Sequence, residues 1–188
     1  MATCPDGLLY GVNMTKIARQ EAFGEASGGA KTTDMEKYQR KAVEEGTKIK
    51  CPKTNYRINI RKNTLEDLSQ PLGREDGFDY TEDFDGFQDT SHGLIFVSFK
   101  SVVGTGGSQT RTLRECYHFA EAQLKFLVKH KKRKIFFANI LDGDESDRRM
   151  KLFRYLLALP EYAHIAHKVY VGHLGGYFDW FNKCATIE

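Results

Sequence analysis

The chain has 188 residues, of which 40% are hydrophobic and 28% charged, and its formal net charge is +3 with a pI near 8.6. This composition fits one globular domain with a sizeable core. It excludes a disordered chain, and no apolar run approaches the roughly 20 residues that a membrane span needs.

The N-terminal residues and the cysteines bear on the compartment of the protein. Residues 1–12 (MATCPDGLLYGV) lack a basic segment followed by an apolar core, so no secretory signal is predicted. The cysteines lack the close spacing of a zinc site or a redox pair. They are Cys4, Cys51, Cys116 and Cys184. An intracellular, cytoplasmic protein with reduced thiols and no membrane segment is expected.

The first part of the chain predicts an extension followed by a helix and a strand. Residues 1–32 form the predicted N-terminal extension, with a short helix over 15–23. A helix is predicted from about Thr32 to Gly46, because a Thr-Thr-Asp sequence is typical of a helix start and glycine of a helix end. The alternating residues 55–61 (NYRINIR) predict a half-buried strand, whereas residues 65–68 form too short a pattern to assign.

Residues 77–87 (GFDYTEDFDGF) alternate aromatic and acidic side chains, which predicts a strand. With a period of two, Asp83 and Asp85 lie on one face, where acidic groups are costly unless a positive charge is near. Residues 93–103 (GLIFVSFKSVV) are apolar on both faces, as in a central strand. A lysine, Lys100, near the end of such a strand is unlike ordinary core construction.

The rest of the chain alternates between helix and strand. A helix capped by Ser108 or Thr110 is followed by predicted strands at 134–141 and 168–174 and predicted helices at 148–159 and 177–183. This order predicts an α/β fold with a mixed β-sheet flanked by helices on both faces. Residues 1–188 are expected to form a single domain with its core in residues 33–188.

Three of these elements bring oxygen and nitrogen groups to one region. Asp85 stands at the end of one predicted strand, Lys100 on the next strand and Glu115 on the following helix. Carboxylates beside an ammonium group suit a Mg²⁺ ion and a phosphate. The residues predict Asp85 and Glu115 as metal ligands and Asp83 as a reserve ligand. Lys100 is predicted to bind the phosphate or orient a water molecule.

The pattern resembles the PD-(D/E)xK nuclease superfamily, and within it the type II restriction endonucleases. Their usual motif has Asp at a strand end and an acid two positions before a Lys on the next strand. Ser98 holds that acidic position here, which is similar to one branch of restriction enzymes with Ser-x-Lys and an acid on the following helix. Over about residues 79–140 the resemblance implies a restriction-endonuclease-like fold, Mg²⁺ as cofactor, and a catalytic set of Asp85, Ser98, Lys100 and Glu115.

The same resemblance implies DNA contacts. In that branch the residues just before the helix reach base edges, and the corresponding residues here have suitable side chains, since Gln pairs with adenine and Arg with guanine. The candidates are Ser108, Gln109, Arg111 and Arg114. The expected substrate is double-stranded DNA, and a palindromic target implies a homodimer. A further acid from the first helix, among Glu36, Glu44 and Glu45, is left open.

Ordinary structural explanations stand beside these assignments. An Asp-Gly pair such as Asp85-Gly86 is typical of a turn, a strand-end lysine reaches water, and Glu115 in a first helical turn favours the helix dipole. Two other functions stay open. One is a DNA repair, recombination or processing nuclease of the same superfamily, and the other is a non-catalytic nucleic-acid-binding or interaction protein.

Two other segments partly match known ligand-binding motifs but lack required residues. The glycines at 104–107 lack the Gly-Lys-Ser/Thr ending of a nucleotide-triphosphate loop. Residues 142–147 (DGDESD) lack the glycine and the final glutamate of a calcium loop, so they are predicted to cap a helix. The basic run 129–134 (KHKKRK) is predicted to be a solvated helix end, with contact to a DNA backbone as the alternative.

Overall fold

A computed structural model describes residues 15–17, 30–68 and 78–184. The helices and strands occur in the order α1 (Ala30–Thr47), β1 (Tyr56–Asn59), β2 (Thr64–Asp67), β3 (Gly86–Thr90), β4 (Gly93–Ser101), α2 (Gly107–Lys129), β5 (Ile135–Asp142), α3 (Asp144–Leu157), β6 (Val169–Gly172) and α4 (Leu174–Cys184).

The main sheet has four strands in the order β3-β4-β5-β6. β3 and β4 form an antiparallel hairpin, whereas β4, β5 and β6 are parallel and are joined through α2 and α3. Parallel neighbours need such crossovers, and their carboxyl ends meet at one edge of the sheet. Because β3 runs the other way, its first residue lies at this same edge.

Both faces of the sheet are covered by helices, and the alternation along β4 decides which residue faces which layer. Ile95, Val97 and Phe99 pack in one cluster with residues of α1 and α4. Phe96, on the opposite face, packs with residues of α2. Successive side chains of a strand point to opposite faces, and here both faces are buried. The predicted mixed sheet with helices on both faces is confirmed.

The predicted strand over residues 77–87 is wrong for the described residues 78–85. This segment runs beside β1 with irregular hydrogen bonds, and only Tyr80 forms a bridge, to Asn59. The Thr81 hydroxyl accepts the Ile58 backbone N–H at 3.0 Å, in place of a backbone carbonyl. Local side-chain acceptors of this kind compete with a strand ladder. The regular strand begins only at Gly86.

Most other elements lie where the patterns predict them, with shifted ends. α3 begins at Asp144 instead of residue 148, and α4 at Leu174 instead of residue 177. The unassigned stretch at 65–68 contributes β2, which pairs with β1 in a separate antiparallel hairpin. Residues 16 and 17 are helical, residue 15 is not, and residues 18–23 of the predicted helix lie outside the described residues. Among the described residues, no helix is long and apolar enough to cross a bilayer.

The predicted helix caps are wrong. α2 begins after Gly106 and α3 after Gly143, and neither helix has a side-chain cap hydrogen bond. The Thr110 hydroxyl instead donates back to the Gly106 carbonyl at 3.2 Å. The Asp142 carboxylate is fully buried and accepts from Gln39 Nε2 at 2.6 Å, so it joins α1 to the end of β5. Asp142 therefore connects segments of the fold instead of capping α3.

Candidate functional site

A cleft of about 570 Å³ opens at the sheet edge where β4 ends. Its walls come from α1, the segment before β3, the end of β4 and the first half of α2. The polar side chains lining it include Glu36, Gln39, Glu82, Asp85, Lys100 and Glu115. The structure therefore brings the predicted Asp85, Lys100 and Glu115 to one cavity, although 15 residues separate each from the next in the sequence.

Asp85 lies immediately before β3, on the cleft wall beside the end of β4. Its Oδ2 accepts the backbone N–H of Phe99 at 2.6 Å. Burial raises the pKa of Asp85 to about 6, although the Phe99 hydrogen bond and the Lys100 charge act in the opposite direction. This carboxyl group therefore takes up or releases a proton near neutral pH.

Arg40 of α1 fixes the backbone at this point. Its Nη2 donates to the Asp85 carbonyl at 2.5 Å and to Glu36 Oε1 at 2.8 Å, while Nη1 donates to the Cys51 carbonyl at 2.9 Å. The Arg40 side chain is 14% exposed. The guanidinium group donates several hydrogen bonds at once, and it therefore holds together α1, the segment at Cys51 and the segment at Asp85.

Position 86, directly after Asp85, has no room for a side chain. A Cβ at position 86 would lie 2.7 Å from Cys51 Sγ and 2.8 Å from Arg40 Nη1, both closer than a real Cβ contact. The Asp-Gly pair is therefore a close approach of chain segments, and β3 begins there; it is not the tip of a turn.

Lys100 is paired with Glu82, which a strand with a period of two would place on the face opposite Asp85. Its Nζ donates to Glu82 Oε2 at 2.9 Å. Burial acts to lower the pKa of Lys100, but the hydrogen bond and charge of Glu82 and the charge of Asp85 raise it above its ordinary value overall. Lys100 is thus an ammonium group at neutral pH, suited to bind an anion and unsuited to act as a base. Glu82 was missed because a regular strand would have pointed it away from Asp85.

Glu115 lies on the solvent side of the cleft. Its side chain is 58% exposed, and Arg111 Nε of the same helix lies 4.0 Å from its Oε1. It shares the α2 wall with Thr112, Cys116 and Phe119, which follow at helical spacing. The Glu115 carboxylate is therefore accessible to a ligand that enters the cleft from solvent.

The structure separates the three acids of the first helix. Glu36 lines the cleft, with Arg40 as its ion-pair partner. Glu44 accepts the Cys51 backbone N–H at 2.8 Å, and the exposed Glu45 lies 3.6 Å from Lys41. Only Glu36 of these three lines the cavity.

Two predicted site residues lie elsewhere. Asp83 forms a two-point ion pair with Arg57, at 2.5 Å and 3.0 Å, and does not line the cleft. Ser98 is 3% exposed and lies within β4 opposite Asn139, beneath the lining residues. Asp83 therefore links β1 to the segment before β3, and Ser98 is part of the sheet interior.

The cleft lining offers carboxylate oxygens, which are the type of ligand that Mg²⁺ takes. Among the described residues, no group of three or more His, Cys, Asp or Glu side chains is arranged to hold a metal ion. Mg²⁺ keeps several waters and is bound through one or two carboxylates plus substrate phosphates, so a two-carboxylate site suffices. Asp85, with Glu115 or Glu36 from the same cleft lining, would form such a set if an ion bound there. Ser101 also lines the cleft, and its buried Oγ has no hydrogen-bond partner among the described residues. A water molecule or a phosphate oxygen would satisfy this hydroxyl group.

The candidate base readers occupy the first two turns of α2. Ser108 and Arg111 are exposed, and Ser108 Oγ donates to Gln109 Oε1 at 2.7 Å. Arg114 is also exposed but lines a groove on the far side of α2 from the cleft. Ser108, Gln109 and Arg111 therefore border the cleft without lining it, whereas Arg114 faces away from the cleft.

Comparison of the chain with protein-family models, curated proteins and solved structures gives no match. The functional proposal therefore depends on the cleft itself.

Proposed function

We propose that this protein is a Mg²⁺-dependent endonuclease that hydrolyses phosphodiester bonds of double-stranded DNA, with a restriction-endonuclease-like fold and sequence-specific type II activity. One observation carries the proposal: a single cleft gathers Asp85, Lys100 and Glu115 from three separate elements. Acidic oxygens around one retained ammonium group match the needs of phosphodiester hydrolysis.

Each residue has a role that follows from its surroundings. Asp85, ionised above pH 6, and Glu115 would hold the metal, with Glu36 as a further acid on the α1 wall. Bound Mg²⁺ would supply charge neutralisation and a more acidic water molecule. Lys100 would bind a non-bridging phosphate oxygen, exchanging its present partner Glu82 for the substrate. Arg40 would keep the Asp85 backbone in place.

Recognition of the base sequence would come from the start of α2. Gln109 and Arg111 have side chains that pair with adenine and guanine in the major groove, and Ser108 can contact either. They lie beside the Glu115 rim, so one helix would present base contacts and a metal ligand together. A palindromic target would require two copies related by a two-fold axis, hence a homodimer.

The test is digestion of a supercoiled plasmid of mixed sequence with Mg²⁺. Lys100→Met and Glu115→Gln are expected to slow cleavage about 100-fold or more, since each removes a charge at the reacting phosphate or metal. Asp83→Asn is the matched control, because it removes a nearby carboxylate that does not line the cleft, and it is expected to cleave like the parent. Thermal unfolding of each variant verifies that it folds.

The products separate the remaining possibilities. Discrete fragments support a sequence-specific enzyme, whereas a smear or nicking at structural features indicates a processing nuclease. DNA binding without any cleavage in Mg²⁺ or Mn²⁺ would refute catalysis and leave a nucleic-acid-binding protein. Equal activity of the parent, Lys100→Met and Glu115→Gln would show that the cleavage arises elsewhere.

A further inference from the structure

A second depression lies on the far side of α2 from the cleft, between α2 and α3. This α2–α3 groove has a volume of about 410 Å³ and is lined by residues that include Leu113, Arg114 and Tyr117 of α2 and Arg149, Leu152 and Tyr155 of α3. Leu152 and Tyr155 are exposed although they are large apolar residues. A smaller depression, which shares Thr110 and Arg149 with the groove, continues it to Lys151 and to the loop before α2.

The groove carries a surplus of positive charge. The acids of α3 all lie in its first turn, whereas residues 148–157 (RRMKLFRYLL) contain four basic residues and no acid. Arg148 and Arg149 are each 3.1 Å from Glu145, which offsets part of that charge. Within the described residues, neither Arg114 nor Lys151 has a salt bridge, and both are exposed. Such a surface suits an anionic partner.

The groove and the cleft share one wall. Thr112, Glu115 and Cys116 of α2 face the cleft, while Thr110, Leu113, Arg114 and Tyr117 face the groove. The two sets lie on opposite sides of one helix. An α-helix with its side chains is roughly 10–12 Å across, and a DNA strand advances about 3.4 Å per nucleotide along the duplex axis. A strand crossing α2 from the cleft therefore reaches the groove after about three nucleotides.

We propose that the α2–α3 groove binds the sugar–phosphate backbone of duplex DNA, about three nucleotides from the phosphate held in the cleft. Arg114 in the groove and Lys151 in the smaller depression that continues it supply the two unpaired cations. The hydroxyl groups of Tyr117 and Tyr155 are further donors of the kind that contact phosphates. The inference rests on the proposed function. It adds a second, sequence-independent contact surface that would position the duplex across α2.

The test is the salt dependence of DNA binding in EDTA, where metal-dependent cleavage does not occur. A labelled 30-base-pair duplex is titrated with the parent and with the double variant Arg114→Gln/Lys151→Gln between 50 and 200 mM KCl. Loss of two phosphate contacts is expected to reduce the slope of log K against log salt by about 1.8, and affinity at the lowest salt by about 10-fold. The control Lys131→Gln/Lys132→Gln removes the same charge from exposed residues before β5, at the opposite sheet edge, and is expected to change affinity less than 2-fold.

The outcomes are distinct for the groove and for the cleft. If the parent cleaves DNA and the double variant binds with the parent's slope, the groove proposal fails while the nuclease proposal stands. If neither the parent nor any variant cleaves DNA, but the double variant alone binds DNA more weakly, the groove stands as a nucleic-acid surface and the nuclease proposal fails. If the double variant changes the oligomeric state in light scattering but leaves DNA affinity unchanged, the groove binds a second copy of the chain and the proposal is overturned.

Discussion

Replacement of Asp85 by asparagine is expected to stabilise the protein at neutral pH, at the expense of the proposed activity. The ionised carboxylate lies in a largely buried position, and burial is the main reason that its pKa rises from 3.8 to about 6. Asparagine has nearly the same shape and no charge. Its amide oxygen can still accept the Phe99 backbone N–H that Asp85 Oδ2 accepts now.

The sign and size follow from the two pKa values. Between pH 3.8 and 6 the folded protein holds a proton on Asp85 that the unfolded chain has released, so the free energy of unfolding falls as pH rises. The rise of the Asp85 pKa from 3.8 to about 6 corresponds to about 3 kcal/mol of unfolding free energy. Below pH 3.8 this difference vanishes, because Asp85 is then protonated in both states. The stability gain from Asp85→Asn should therefore be near zero at pH 4 and about 2–3 kcal/mol at pH 7.5.

Urea unfolding in EDTA from pH 4 to pH 8 measures this difference directly. Asp83→Asn is the control, because it breaks a partly exposed ion pair with Arg57 and should cost at most about 1 kcal/mol. An Asp85→Asn variant that is less stable than the parent at pH 7.5, or a gain that does not grow with pH, would refute the assignment of Asp85 as a buried, destabilising carboxylate.

Other changes test the packing around the site. Gly86→Ala should destabilise by about 1–3 kcal/mol in urea unfolding, because its Cβ meets neighbours at 2.7–3.0 Å, whereas Gly107→Ala, with open space around its Cβ, should be neutral or slightly stabilising. Gln123→Leu should cost about 1–3 kcal/mol, because it removes both hydrogen bonds between Gln123 and the buried Asn139 amide and leaves the Asn139 oxygen without a donor. Leu at both positions should recover part of the loss. A Cys4→Ser chain should react with thiol reagents only after unfolding, since burial raises the pKa of the described cysteines to about 11 or 12; rapid labelling of the native protein would contradict this.

Local patterns were sufficient for the central part of the fold. Residues 93–103 and 134–141 are apolar on both faces, which predicted β4 and β5. After the glycines at 104–107, apolar residues such as Leu113, Ala120 and Leu124 recur on one side of a helix, which predicted α2. Because Lys100 ends β4 and Glu115 follows in the early turns of α2, their chain order alone placed them at one sheet edge.

The irregular conformation of the segment before β3 could not be predicted from local patterns. Its alternating side chains suggested a strand, but Thr81 and the acids find partners on β1 and around it, so the period of two does not hold. As a result Glu82, and not Asp83, reaches Lys100. A sequence pattern cannot show which side-chain partner each acid will find, because those partners come from distant segments.

The sequence by itself determined the α/β architecture, the two central strands and the candidate trio of Asp85, Lys100 and Glu115, because these follow from periodicity and chain order. Only the tertiary structure decided that Glu36 is the α1 acid on the cleft and that Arg40 holds the Asp85 backbone. The rotation of α1 against the sheet makes that choice, and it depends on how the helix packs as a whole. The environment that shifts the Asp85 pKa is likewise a property of burial, which no local stretch of sequence contains.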